Sequence, residues 1–237
     1  MAHVEFLDTW ISSILNNKKY IETVIFWLSD KETSNWFTEI YPKLSRLNIP
    51  LRPITNFQSD PITCLSYIND PNLKIGAVLD FDDIWLPNHL ELAISETSYF
   101  TTKSFYAGRS EFVDINAKIS LGTNMLPCHY SDILLHTPIA FSAMVWKPGS
   151  VNVNLGYNRM VDQALAYFAF KNNKVQVGSV ISVKIRKHKG SMSSQLFYQF
   201  LDRIRFFILS RNPLILLNTI FAVFKKISRI RKRYSKL

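Results

Sequence analysis

A short apolar run that ends in three closely spaced carboxylates constrains this chain more than any other feature. The run covers residues 75–79, and Asp80, Asp82 and Asp83 follow it. A continuous apolar run of this length is typical of a strand buried in a parallel sheet. Ligands of open α/β sheets bind beyond the carboxyl ends of strands. Three acids at such an end repel one another, and a hard divalent cation such as Mg²⁺ or Mn²⁺ would join them.

A simpler interpretation of the same acids is an acidic turn that caps a helix. The sequence predicts a helix that starts near Pro87, and Asp82 or Asp83 would then lie near its N-terminus. His89, inside this helix, is expected on its exposed side. The three acids alone leave the metal site and the helix cap both open.

The order of the elements predicts an α/β fold. Apolar residues recur at helical spacing over 6–15, and a β-branched and aromatic strand follows at 23–28. Helices and strands then alternate up to the strand that ends at Asp80. This alternation favours a parallel sheet with crossover helices.

The residues around the acids extend the pattern. From Asp80 to Pro87 the chain reads Asp-Phe-Asp-Asp-Ile-Trp-Leu-Pro, and a Leu-Glu pair follows. This stretch resembles the aspartate motif of family-two glycosyltransferases with the GT-A fold. The resemblance implies a GT-A-like, Rossmann-related, mostly parallel sheet flanked by helices. It also implies that Asp82 and Asp83 hold Mg²⁺ or Mn²⁺, with Asp80 as a further ligand or a ribose contact.

The same resemblance implies roles for five further residues. Asp162, at the start of a helix, takes the place of the family's catalytic base. His188 would touch the metal or the diphosphate, and Arg186 and Lys189 would neutralise phosphate charge. Asp30 would replace the acid that contacts the base or ribose. On local sequence alone, a single Asp in the first turn of a helix is more often a cap or a partner of the helix dipole.

The chain departs from the family pattern in two places. The family opens with a strand whose final turn contacts the nucleotide, whereas this chain begins in the helix that follows. The family's Glu-Asp pair is Val161 and Asp162 here. A second hypothesis therefore stays open, in which a catalytically inactive GT-A-like scaffold binds a partner glycosyltransferase or a glycan.

Charge and hydropathy divide the chain into a body and a tail. The net charge is +10, of which residues 196–237 carry +9 and residues 1–195 carry +1. The tail combines this charge with an apolar run at 214–224, which is shorter than the ~20 residues that span a bilayer. We expect 1–195 to form the glycosyltransferase domain and 196–237 an amphipathic helical tail on an anionic membrane surface. Packing of the tail on the body or on a second subunit is the alternative.

These observations predict the reaction and its location. An apolar content of 47% excludes wholesale disorder. The basic residues adjoin an apolar stretch, so a nucleic-acid partner is not predicted. The first residues lack a signal peptide's basic and apolar regions, which favours a cytoplasmic protein, peripheral on the inner face of the cell membrane. The predicted activity is transfer of a sugar, with inversion, from a nucleotide-sugar donor to a hydroxyl of a glycan or lipid-linked acceptor.

Overall fold

The structure is a computed structural model, and it describes twelve parts of the chain. These are residues 4–27, 40–54, 68–101, 103–124, 127, 133, 139–150, 161–172, 174–188, 204, 207–208 and 213. The helices are α1 (Leu7–Asn16), α2 (Tyr41–Leu44), α3 (His89–Glu96) and α4 (Val161–Lys171). The strands are β1 (Val24–Trp27), β2 (Leu51–Ile54), β3 (Gly76–Ala77), β4 (Ile84–Trp85), β5 (Phe105–Val113), β6 (Ser120–Thr123), β7 (Met144–Trp146) and β8 (Val175–Arg186).

The first helix and strand follow from local sequence. Helix α1 buries Leu7, Trp10 and Ile14, which share one face at helical spacing. Strand β1 is β-branched and aromatic, and it pairs in parallel with β2 from Val24 opposite Leu51 onward. The predicted helix at 6–15 and strand at 23–28 are confirmed.

Most of the described strands form one mixed sheet. Its order is β3-β7-β5-β8-β4, and β6 pairs with the end of β5. Strands β5 and β8 are parallel. Strand β7 is antiparallel to β3 and β5, β4 is antiparallel to β8, and β6 is antiparallel to β5. The predicted α/β class is confirmed, but the described pairings are mixed rather than mostly parallel.

The acidic segment differs in detail from the prediction. Strand β3 ends at Ala77, so two residues outside any strand separate it from Asp80. Strand β4 separates Asp83 from α3, whose N-cap is Asn88. The interpretation of the acids as a helix cap is therefore wrong. The apolar run correctly indicated that the segment is buried. Burial on both faces does not show whether a strand is parallel or antiparallel to its neighbours, or how many of its residues pair.

His89 is fully buried, and its predicted exposure is also wrong. Its ring lies 5.0 Å from that of Trp85 and 6.2 Å from that of Tyr106. The position is buried because α3 packs against β5 and β8. Because α3 is short and its composition is mixed, the sequence did not show which of its faces would be buried.

Little of the tail falls within the described residues. Of residues 196–237, these include only Ile204, Phe207, Ile208 and Pro213. Phe207 packs against the core, whereas Ile208 is 66% exposed. Among the described residues, no helix combines the length and the apolar character needed to cross a bilayer.

Candidate metal centre

The three predicted acids form a cluster in the loop between β3 and β4. One carboxylate oxygen from each of Asp80, Asp82 and Asp83 lies within 4.8 Å of the others. The loop turns sharply, because the Asp83 N–H donates to the Asp80 carbonyl at 3.0 Å. Asp83 is buried, Asp82 is half-buried and Asp80 is exposed. The cluster therefore has a buried side and a side open to solvent.

A buried serine orients the inner acid. The Ser142 hydroxyl donates to Asp83 Oδ2 at 2.7 Å and accepts from the Asp80 N–H at 2.9 Å. Its own carbonyl accepts from Trp85 Nε1 at 2.6 Å. Ser142 is fully buried in the turn of 3₁₀ helix that precedes β7. The sequence analysis missed this residue, and its one signal was a hydroxyl inside an otherwise apolar segment.

The end of β8 contributes the opposite wall of the site. The Arg186 backbone N–H donates to Asp83 Oδ1 at 3.3 Å, and its Nη1 donates to the Asp82 carbonyl at 2.7 Å. His188 Nε2 lies 2.8 Å from Asp82 Oδ2, at hydrogen-bond distance. Arg186 and His188, predicted separately from the acids in sequence, thus contact them directly.

Aromatic side chains of α1 and of the segment before it pack against the acidic loop and against β8. Trp10 stacks on Phe81 with ring centroids 5.0 Å apart, and its Nε1 donates to the Leu79 carbonyl at 3.3 Å. The Phe6 ring lies 4.5 Å from the Arg186 guanidinium carbon, a cation–π distance. These contacts hold the loop between α1 and β8.

The acids destabilise one another's charged forms. Burial, followed by repulsion from Asp82 and Asp162, raises the pKa of Asp80 to about 7 from an ordinary 3.8. Asp80 meets solvent on one side, while protein crowds its carboxyl group on the other. Burial and the charges of Asp80 and Asp82 also raise the pKa of Asp83. A bound cation would relieve this repulsion.

Asp162, the predicted base, lies within electrostatic range of Asp80. It lies in the first turn of α4, and its charge acts on Asp80. Burial raises the pKa of Asp162 to about 6. One of its oxygens, Oδ1, accepts the Gln163 N–H at 2.8 Å. The charge of the predicted base therefore acts on one of the three clustered acids, and its carboxylate also accepts a local hydrogen bond at the start of the helix.

The donor set fits a hard divalent cation. Carboxylate oxygens are the ligands that Mg²⁺ and Mn²⁺ prefer. The three acids offer such oxygens at close spacing, and Arg186 and Ser142 already satisfy part of the Asp83 carboxylate. Asp82 and Asp83 thus remain candidate ligands, and Asp80 is close enough to join them.

Two of the predicted binding residues, Asp30 and Lys189, lie outside the described residues. The search against family models and the search of curated proteins each found no match to this chain.

Proposed function

We propose that this chain is a metal-dependent glycosyltransferase with a GT-A-like fold, which moves a sugar from a nucleotide-sugar donor to an acceptor hydroxyl. One observation carries the proposal. Three carboxylates able to hold a divalent cation lie within electrostatic reach of a fourth, Asp162, on a separate helix. A metal site beside a proton acceptor is the arrangement that metal-assisted group transfer to a hydroxyl requires.

Each side chain has a definite task in this proposal. Asp82 and Asp83 hold Mg²⁺ or Mn²⁺, and Asp80 adds a ligand or contacts the ribose. The bound metal would stabilise the negative charge of a nucleoside diphosphate leaving group. Arg186 keeps the acidic loop in place through the Asp82 carbonyl. His188, at 2.8 Å from Asp82, orients that carboxylate or joins it at the metal.

Asp162 is the proposed general base. A carboxyl group with a pKa of about 6 is ionised at neutral pH, yet it accepts a proton more readily than an ordinary aspartate. It would take the proton of the acceptor hydroxyl as that oxygen attacks the anomeric carbon. A single displacement of this kind inverts the configuration. A glycan or lipid-linked acceptor, and work on the cytoplasmic membrane surface, suit the basic apolar tail.

The metal site is tested by calorimetry of nucleoside diphosphate binding with Mn²⁺. We expect Asp82→Asn to abolish the metal-dependent part of the affinity and to leave the fold intact, because one charged ligand is replaced by a neutral amide. Asp8→Asn, an exposed acid of α1, is the matched control. Equal affinity in wild type and Asp82→Asn would remove the metal site from the proposal.

The base is tested by turnover with a panel of nucleotide sugars. Asp162→Asn should lower turnover by about 100-fold while donor binding persists. Loss of stability and donor affinity together would make Asp162 a structural residue of the α4 terminus. A wild-type chain that binds donor with Mn²⁺ but transfers no sugar would instead favour the inactive scaffold.

A further inference from the structure

Three lysines surround a concavity at the end of the sheet remote from the acids. The concavity has a volume of about 460 Å³, and Lys103, Lys147 and Lys174 line it. Thr101, Ser104 and Ser150 also line it. We call this concavity the lysine pocket. None of the lining residues that the structure describes is acidic.

Backbone hydrogen bonds bring the three lysines together. The Lys174 carbonyl accepts from the Ser104 N–H at 3.0 Å, and the Lys147 N–H donates to the Ser104 carbonyl at 2.9 Å. Lys103 precedes Ser104 in the chain. The three lysines therefore start from neighbouring points of a hydrogen-bonded backbone framework.

Two of the three lysines that line the pocket have no ion-pair partner among the described residues. Among the described residues, Lys147 and Lys174 form no ion pair, whereas Lys74 and Lys19 elsewhere pair with Glu22 and Glu91. The unpaired positive charges of Lys147 and Lys174 line one concavity and repel each other, and an anion bound there would reduce this repulsion. Lysine ammonium groups, each with three donors, suit phosphate oxygens.

The lysine pocket is separate from the acid cluster. Lys174 immediately precedes β8, whereas Arg186, at the other end of β8, contacts Asp82 and Asp83. A strand of this length extends over roughly 40 Å. A ligand in the lysine pocket therefore cannot be the diphosphate held at the acids.

We propose that the lysine pocket is a second binding site, specific for a phosphate-bearing ligand. The ligand is either a soluble phosphate compound or the phosphate headgroup of a lipid, since both present the same oxygens to the lysines. The site acts independently of the proposed metal centre, and it requires no divalent cation.

The test uses the full chain with a chelator present, so that the acid cluster holds no metal. Pyrophosphate binding is measured by calorimetry, and flotation with phosphatidylglycerol vesicles forms the second arm. The pocket variant is Lys147→Gln with Lys174→Gln. The control is Lys18→Gln with Lys118→Gln, which removes the same charge from exposed lysines outside the pocket.

We expect the pocket variant to lose about tenfold or more in pyrophosphate affinity, because each lost charge-assisted hydrogen bond costs about that factor. The control should change less than about twofold. An unchanged pyrophosphate affinity with selective loss of vesicle binding would identify a lipid headgroup as the ligand. Equal behaviour of the pocket and control variants in both arms, or a wild type that binds neither probe, would overturn the proposal. Asp82→Asn should leave pyrophosphate binding unchanged, which separates this site from the proposed metal centre.

Discussion

At the residue scale, the acid cluster depends on an uncharged side chain. The Ser142 hydroxyl donates a hydrogen bond to Asp83 and accepts one from the Asp80 N–H. The first of these contacts is buried and the second is partly buried. The serine therefore sets the direction of the Asp83 carboxylate, which the charges alone would push away from its neighbours.

Removing that hydroxyl should weaken both the fold and the metal site. Ser142→Ala leaves the Asp83 oxygen and the Asp80 N–H short of a partner, so we expect a loss of about 1–3 kcal/mol in the free energy of unfolding. Mn²⁺ affinity should fall by about tenfold. Denaturant unfolding and Mn²⁺ titration measure the two effects, with Ser12→Ala on exposed α1 as control. Unchanged Mn²⁺ affinity would show that Ser142 serves the fold alone.

His89 should make stability depend on pH. Burial lowers the pKa of His89 to about 3 from 6.5, and Ser182 Oγ lies 3.0 Å from its Nδ1. As pH falls below 6.5, His89 binds a proton in the unfolded chain but not in the folded chain. Stability due to this residue is therefore complete above pH 6.5 and decreases towards pH 3, by about 1.4 kcal/mol per pH unit.

The measurement compares denaturant unfolding of wild type and His89→Gln at about pH 6 and about pH 4. We expect the wild type to lose more stability than the variant over this interval. The raised pKa values of Asp80 and Asp162 act in the opposite direction, but they are common to both proteins and cancel in the comparison. Parallel pH profiles would mean that His89 is protonated inside the fold.

At the scale of elements, one asparagine joins two helices. Asn17 follows the last residue of α1, and its Oδ1 accepts the Leu90 N–H at 3.1 Å, in the first turn of α3. Its Nδ2 donates to the carbonyls of Ser13 and Leu86, at 3.0 and 3.1 Å. The end of α1 thus caps the start of α3, which the adjacent Asn88 does not do with its own side chain.

Replacing this asparagine should uncouple the two helices. Asn17→Ala removes a buried group with three hydrogen bonds, and we expect a loss of about 2–4 kcal/mol in the free energy of unfolding. Asn16→Ala, one position earlier and exposed, should cost much less. Hydrogen exchange of the first-turn amides of α3 would report the local effect. Similar stabilities for the two variants would show that packing, not the cap, orders α3.

At the scale of the whole molecule, charge is unevenly distributed. The acids gather at one end of the sheet, the lysine pocket lies at the other, and residues 196–237 carry +9. Phe207 nevertheless packs on the core, so this part of the tail has a partner within the chain. Packing at Phe207 and membrane binding by the basic residues beyond it are compatible, because they use different segments.

Deleting residues 196–237 should release the protein from anionic vesicles. Full-length protein should also dissociate as salt rises, though incompletely, because ions do not screen the apolar residues at 214–224. Vesicle sedimentation decides the point, and a full-length variant with the basic residues of 225–236 changed to glutamine isolates the charge effect. If full-length protein does not bind anionic vesicles at low salt, the tail packs on the body or on a partner instead.

The local sequence determined the elements whose signal lies within a few residues. The apolar face of α1, the β-branched strand β1 and the helix that carries Asp162 were all predictable, because periodicity and propensity act over short stretches. The acidic loop was predictable for the same reason. The resemblance of this loop to a known motif also pointed to His188, which lies 2.8 Å from Asp82, and to Asp162, whose charge acts on Asp80.

Tertiary structure alone decided the remaining features. Strand direction, the burial of His89 and the contacts of Ser142 and Asn17 all depend on partners far away in the chain. Ser142 lies 59 residues from Asp83, Asn17 lies 73 from Leu90, and His89 lies 93 from Ser182. The sequence around a single polar residue does not show which distant group it will contact. These contacts are decided by how the whole chain buries its apolar surface and forms hydrogen bonds to the polar groups that are buried with it.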